Sequence, residues 1–363
     1  MFALIAALLV LPAQLERPMW NGYVLATPPG QAWMSATGAG ALHLAACGAA
    51  SINSAPDKTH AFLLGADGSM DVTPAGFSGA MINDSAGLQH VGGVAVLGNY
   101  PGHAWLWTDF GASIDLNPPG FTVSEALGVG GGQQVGYVDS GAFCPQCGLV
   151  MQRHAVMWSG TADSMVQLHT KFASYTMATG TDGVQQVGEG AVGIGFHALL
   201  WNGPGSAVID LNPGPAWKFS MACAVDDGHQ VGSIAGTATS DAPHAALWTS
   251  TAASWVDLNP SGYSQSNACS VHAGVQVGSG APSAAPWTRR ALAWQGSSAS
   301  VTDLHALLPA EFQAWNSYAE DSDAFGNIVG YVELGSQRQP ALWLHTGLMP
   351  IPQSGSLGTI AIK

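Results

Sequence analysis

The sequence predicts an all-β fold: a seven-bladed β-propeller of four-stranded blades, with the closing blade shared between the N- and C-terminal segments. Three observations carry this prediction. An H-A-x-x-W pattern recurs along nearly the whole chain, starting at His60, His103, His154, His197, His244, Arg290 and Pro340. Its period of about 40 to 50 residues suits a four-stranded blade. Each unit divides into four short segments separated by turn residues, and the two chain ends carry complementary parts of a unit.

The first segment is of the HALLW type, ending at Trp107, Trp158, Trp201, Trp248 and Trp294. The second is of the VIDLNP type, carrying Asp71, Asp115, Asp210, Asp257 and Asp303 ahead of a Pro-Gly-rich turn. The third is a small-residue S-x-A segment, at Ser78 to Ala80, Ser124 to Ala126, Ser220 to Ala222, Ser266 to Ala268 and Ser317 to Ala319. Small side chains there suit strands crowded near an axis. The fourth is of the G-x-Q-V-G type, at Gly132 to Gly136, Gly183 to Gly188, Gly228 to Gly232 and Gly274 to Gly278. The last unit, PALWLHTGLMPIP, has a first and at most a second segment. The residues before His60 match the other half, through Ser35, Ala36 and Gly48. A unit split between the termini clasps a ring and leaves no long sheet edge unpaired. An open solenoid would need polar capping repeats and would gain nothing from complementary ends.

Composition agrees with a turn-rich β fold: 47% hydrophobic residues, 47 Gly and 21 Pro, with only 9% charged residues against about 25% in typical soluble domains. With 23 acidic and nine basic residues the net charge is -14, and no basic run occurs. Both features argue against nucleic acid as a partner. Residues 1–19 contain an apolar stretch, MFALIAALLVLPAQ, read as a signal peptide without its basic region, or else as a buried strand or short helix. Residues 20–363 read as a single propeller domain. No other stretch approaches the roughly 20 apolar residues of a membrane helix, so no membrane span is expected in the mature chain, which is read as a soluble monomer.

The succession H-A-(F/L)-L-W, D-L, S-x-A, G-x-x-V-G over about residues 34–350 resembles the HAF family of bacterial repeat proteins, taken to be extracellular. The resemblance implies export and a propeller-like fold, but no established activity and no catalytic residues. Where commoner members have D-L-G-T-L-G-G, this chain has D-L-N-P, so any role of that turn in the family does not carry over.

The His of the first segments (His60, His103, His154, His197, His244) and the Asp of the second (Asp71, Asp115, Asp210, Asp257, Asp303) read as a structural repeat network. A reaction centre needs one constellation, whereas a hydrogen bond beside a buried Trp is needed once per blade. His154 would then pair with Gln167 and Arg290 with Asp303. Repeated His also diverge around a ring instead of converging on one ion, so no metal, cofactor or catalytic residue is assigned.

Cys144 and Cys147, in CPQC, lack a second pair for zinc and a βαβ context for redox chemistry. In an exported chain they read as a local disulfide. Cys223 and Cys269, at equivalent S-x-A-C positions, read as small buried apolar residues, and Cys47 stands alone. The acids Glu125, Glu189, Asp226, Asp227, Glu311, Glu320, Asp321 and Asp323 break the repeat, yet their spacing singles out no pair suited to glycoside hydrolysis. Glu320, Asp321 and Asp323 read as a solvated turn.

A ligand site should lie where the units differ: at residues 138–153, Thr170 to Phe172, Ala216 to Phe219, Trp287 to Arg290 and Glu311 to Trp315. Trp217, Lys218, Trp287, Arg289 and Trp315 are the ligand-binding candidates, with filling of gaps between blades as the competing role of the tryptophans. The expected function is a secreted or periplasmic non-enzymatic binding or structural module, with a glycan or protein at the cell surface as partner. The alternative is a propeller hydrolase or lyase acting on polysaccharide through loop carboxylates.

Overall fold

The computed structural model describes residues 20–28, 30–41, 43–49, 58–65, 68–96, 99–139, 153–169 and 173–346. Residues 1–19, Cys144, Cys147 and Thr170 to Phe172 lie outside them. The described chain is all-β, broken only by single 3-10 turns. Three stretches, 80–115, 123–167 and 263–303, each form a four-stranded antiparallel sheet. Two eight-stranded sheets each consist of two such runs joined by one parallel pairing, Phe196 with Phe219 and Trp33 with Arg338.

Within every set the order is S-x-A strand or its equivalent, G-x-Q-V-G strand, H-A-x-x-W strand and a short outer strand, which carries the Asp in five sets and is Val166–Gln167 or Trp20–Val24 in the other two. A structural set is therefore half a unit out of phase with the sequence unit. The tight turn at the first Gly joins the first two strands of a set, whereas D-L-N-P carries the chain across to the next set. The ends meet in one sheet: Trp20–Val24 pairs antiparallel with Gln337–His345, supplying the outer strand of the last set. The N-terminal side thus fills the place that the sequence pattern left to the residues after His345.

Register moves several expected positions. Gln339 lies opposite Val332 as His154 lies opposite Val138, so the last first-segment starts at Gln339 and not Pro340. Ile82 opposite Gly92 matches Ala126 opposite Gly136, which puts Ala80, not Ser78, at the Ser position of that set. Likewise Ala46, not Gly48, matches Gly232, and Met34, not Ser35, matches Ser124. At Ala80 the missing hydroxyl hid the match, and elsewhere a loop of different length displaced it, while the pairing of strands stayed constant.

Five gaps between neighbouring sets are filled from the same two sequence positions by a Leu and a Trp. The Leu of D-L in one set and the Trp ending the third strand of the next share a buried cluster: Leu116 with Trp158, Leu168 with Trp201, Leu211 with Trp248, Leu258 with Trp294, Leu304 with Trp343. A Leu–Trp wedge of this size contributes roughly 4–6 kcal/mol of gross apolar burial. The seam between the last and first sets is different. Leu64 stands at the Trp position, and the seam packs Ala36, Ala39 and Val329, with Arg338 stacked on Trp33 at 4.8 Å.

The first strands of all the sets carry a bulge at one place, directly after the Ala of S-x-A or its equivalent. A bulge adds one unpaired residue and re-aims its side chain. Opposite it sits the last Gly of G-x-Q-V-G; at Gly232, for example, a Cβ would lie 1.9 Å from the Met221 carbonyl oxygen.

Candidate functional site

The His and Asp positions lie on adjacent strands, with each Asp directly opposite the residue two after its His, so the two side chains meet diagonally on one face. His60, His103, His197 and His244 place Nδ1 at 2.6, 2.8, 2.8 and 2.9 Å from Asp71, Asp115, Asp210 and Asp257. Arg290 Nη1 donates to Asp303 at 2.6 Å. The second Asp oxygen accepts the backbone N–H two residues on, from Thr73, Asn117, Asn212 and Asn259. These pairs are partly exposed, occur once in each of five sets, and do not converge. The nearby-Trp expectation fails: the Trp sits four residues along, at the other end of the strand, wedged against the neighbouring set. His154 also departs from expectation. Its ring stacks on His169 at 3.9 Å, and Gln167 is exposed.

A second repeated network ties set to set. The N–H after the His position donates to a hydroxyl on the next set's first strand: Ala104 to Ser124, Ala155 to Thr176, Ala198 to Ser220, Ala245 to Ser266 and Ala291 to Ser317, at 2.9–3.0 Å. The Asn of D-L-N-P holds that hydroxyl, as Asn117 does Ser124 and Asn259 does Ser266, both at 2.7 Å. His169 and His305 take the Asn place, contacting Thr176 and Ser317 at 2.9 Å. Where Ala80 removes the hydroxyl, Thr73 accepts the Ala61 N–H itself at 3.2 Å. Burial lowers the pKa of His169 to about 4, with His154 adding to the fall.

Trp217, Lys218, Trp287, Arg289 and Trp315 all come to the end of the sheets where the first strands begin, but they do not form one site. Trp217 packs edge-on to Trp255 at 4.9 Å, and Trp315 packs edge-on to Phe312 at 5.3 Å. Both fill space between sets. Lys218 pairs with Asp241 at 3.2 Å, and the Arg289 N–H donates to Asn316. Trp287 is 80% exposed.

The feature that sequence reasoning missed is a cavity of about 540 Å³ at the opposite end of the first strands. Every bulged residue lines it: Thr37, Asn83, Leu127, Thr179, Cys223, Cys269 and Glu320. Three of them donate to the carbonyl just before the next strand's bulge: Thr37 to Ile82, Asn83 to Ala126 and Thr179 to Ala222, at 2.7–2.9 Å. Cys223 and Cys269 are free thiols, unbridged and enclosed as expected, and they line this wall. Burial pushes the Cys223 thiol up to about 12, so it is protonated at neutral pH.

Carboxylates also gather here, and most are spent on backbone. Asp84 accepts the N–H groups of Val129 and Ser85, both at 2.8 Å. Asp321 accepts from the Ala39 N–H at 2.9 Å and the Ser270 hydroxyl at 2.8 Å. Asp226 accepts from the Ala273 N–H and lies 3.9 Å from His272. Asp182 accepts from Val184 and Gln185. Glu320 and Asp321 are thus on a cavity-lining strand; of the expected solvated turn only Asp323 is in a turn, where it caps Phe325 and Asn327. Burial pushes the Glu320 carboxyl up to about 7, with Arg338 pulling it down and Asp321 adding to the rise. The sequence signal for this site was the residue after the Ala of S-x-A, whose chemistry changes from unit to unit.

No family model and no curated protein matches the chain. Solved structures do. Puromycin hydrolase is 12% identical with a TM-score of 0.56, covering 89% of this chain and 55% of that one. A Mycobacterium tuberculosis puromycin-hydrolyzing peptidase is 11% identical with a TM-score of 0.53, covering 89% and 52%. The β-propeller domain of the Trilobed protease from Pyrococcus furiosus is 10% identical with a TM-score of 0.50, covering 72% and 80%. The chain spans about half the length of the first two. At these identities the likeness is one of fold, of the β-propeller type.

Proposed function

We propose that this chain is an exported seven-bladed propeller working as a non-enzymatic binding module, with its ligand seat in the channel cavity instead of on the loop aromatics. One observation carries the reading: the bulged residue of every first strand lines a single cavity of about 540 Å³, a volume within the roughly 300–1,000 Å³ of small-ligand pockets. The blade count is supported by first strands that pack each against the next, with Asn316–Ser322 packing in turn on Trp33–Ala39. Export is supported by the apolar leader and by the resemblance to the HAF repeats.

The polysaccharide-enzyme alternative requires two carboxylates free to act across one bond. Asp84 and Asp321 occupy equivalent register positions and each accepts an N–H from the neighbouring set, which favours ring closure as their role. The test is saturation-transfer NMR of a fragment library on the full chain and on Leu127→Trp, which plugs the cavity. Fragment signals that disappear in the plugged variant support the reading; signals that survive it and vanish in Trp287→Ala would move the seat to the loops. For export, recovery of the native protein from cytosol with residues 1–19 intact would overturn the placement.

A further inference from the structure

We infer that the channel cavity takes a primary alkylammonium group, with Glu320 as its anchoring carboxylate; this deepens the binding reading above and rests on it. The bulge positions form one chemical series. Thr37, Asn83 and Thr179 each give a hydrogen to the carbonyl before the next bulge. At Glu320 the corresponding carbonyl is that of Ala36, and an ionised carboxylate has no hydrogen to give it. Leu127 likewise has none for Ala178. The cavity wall is therefore short of donors at this level, and Glu320 is enclosed with no hydrogen-bond or ion-pair partner among the described residues.

An ammonium carries three donors and one positive charge, which matches one carboxylate flanked by neutral acceptors. A calcium ion wants six to eight oxygens, yet Asp84 and Asp321 already hold N–H or O–H donors on both oxygens. Beyond the acids, Ile82, Leu127, Val129, Val225 and Val271 line the same cavity and suit an alkyl chain. A free diamine and a lysine side chain share this chemistry.

The charges that bear on Glu320 are those of Arg338 and of Asp321 on its own strand, while Cys47, Cys223, Cys269, Tyr318 and Tyr331 nearby are neutral groups whose pKa values the Glu320 charge helps to raise. Arg338 is held by Glu333 and stacked on Tyr331 at 4.0 Å, so its charge is already engaged. Because burial raises the Glu320 carboxyl, amine binding takes up the ionised form and releases a proton near neutral pH.

The experiment is isothermal titration of the full chain at pH 8 with cadaverine, Nα-acetyl-lysine methylamide, calcium and glutarate. An amine should bind one to one, at least about tenfold weaker at pH 5.5 and at least about tenfold weaker to Glu320→Gln, with a wild-type near-ultraviolet circular dichroism spectrum certifying the fold of the variant. Cadaverine alone would indicate a free amine, and the lysine derivative a partner's side chain; either supports the assignment. Amine binding unchanged in Glu320→Gln, or calcium binding that depends on Glu320, overturns it. If glutarate enters the cavity and no amine does, the amine assignment fails and the binding reading stands. If the fragment screen also finds the cavity empty, both fail.

Discussion

Replacing Ser266 by Ala isolates the bond that ties one set to the next. The Ser266 hydroxyl is fully buried, accepts the Ala245 N–H at 3.0 Å and donates to Asn259 at 2.7 Å. Ala leaves a buried N–H without its acceptor, at about 1–3 kcal/mol, and removes a second bond worth about 1 kcal/mol. The expected loss is therefore about 2–4 kcal/mol. For a chain of 363 residues an unfolding entropy of about 2.1 cal/mol/K per residue turns 3 kcal/mol into a fall of about 4 °C in a single thermal transition. The molecule supplies its own control, because Thr176 accepts the Ala155 N–H from the equivalent place at 2.9 Å. Ser266→Thr should therefore cost less than about 1 kcal/mol. Calorimetry and urea titration of both variants check this. A loss under about 0.5 kcal/mol for Ala, or Thr as costly as Ala, would refute the reasoning.

Other substitutions probe the remaining networks. His169 titrates at about 4 when folded against an ordinary 6.5, so the unfolded chain binds more protons between those values and stability falls as pH drops through that window. His169→Asn, the residue that other sets use, should flatten the melting temperature between pH 7 and 4; an unchanged slope counts against the assignment. Asp257→Ala should cost about 1 kcal/mol more than His244→Ala in urea titration, because Asp257 also caps the Asn259 N–H at 2.8 Å while the exposed pair itself is worth about 0–1 kcal/mol; equal costs would make the cap inert. Trp217→Ala should lose about 2 kcal/mol through its packing on Trp255. Trp287→Ala, at an exposed ring, should stay within about 0.5 kcal/mol by the same titration.

The repeat was legible because each set needs the same local solutions. The Asp-x-Asn turn, the Gly opposite a bulge, the Trp wedge and the His–Asp diagonal all recur at fixed offsets. Offsets misled only where a set departs from its own pattern. Ala80 has no hydroxyl, so Ser78 looked like the match, and the loops before His60 and Gln339 shifted the count by one or two residues. The His154–Gln167 pair failed because a His at the Asn position offers a ring to stack on.

Local periodicity in the chain determined the strand types, their four-fold grouping and the division between turn and sheet, since those depend on neighbours a few residues apart. Only the tertiary structure decided that Trp20 Nε1 reaches the Gly326 carbonyl 306 residues away, and that one variable residue per unit faces a common cavity. Pattern in sequence records what each set repeats; a site built from one side chain of every set exists only once the sets are brought around a shared axis, and its chemistry lies in the differences among them.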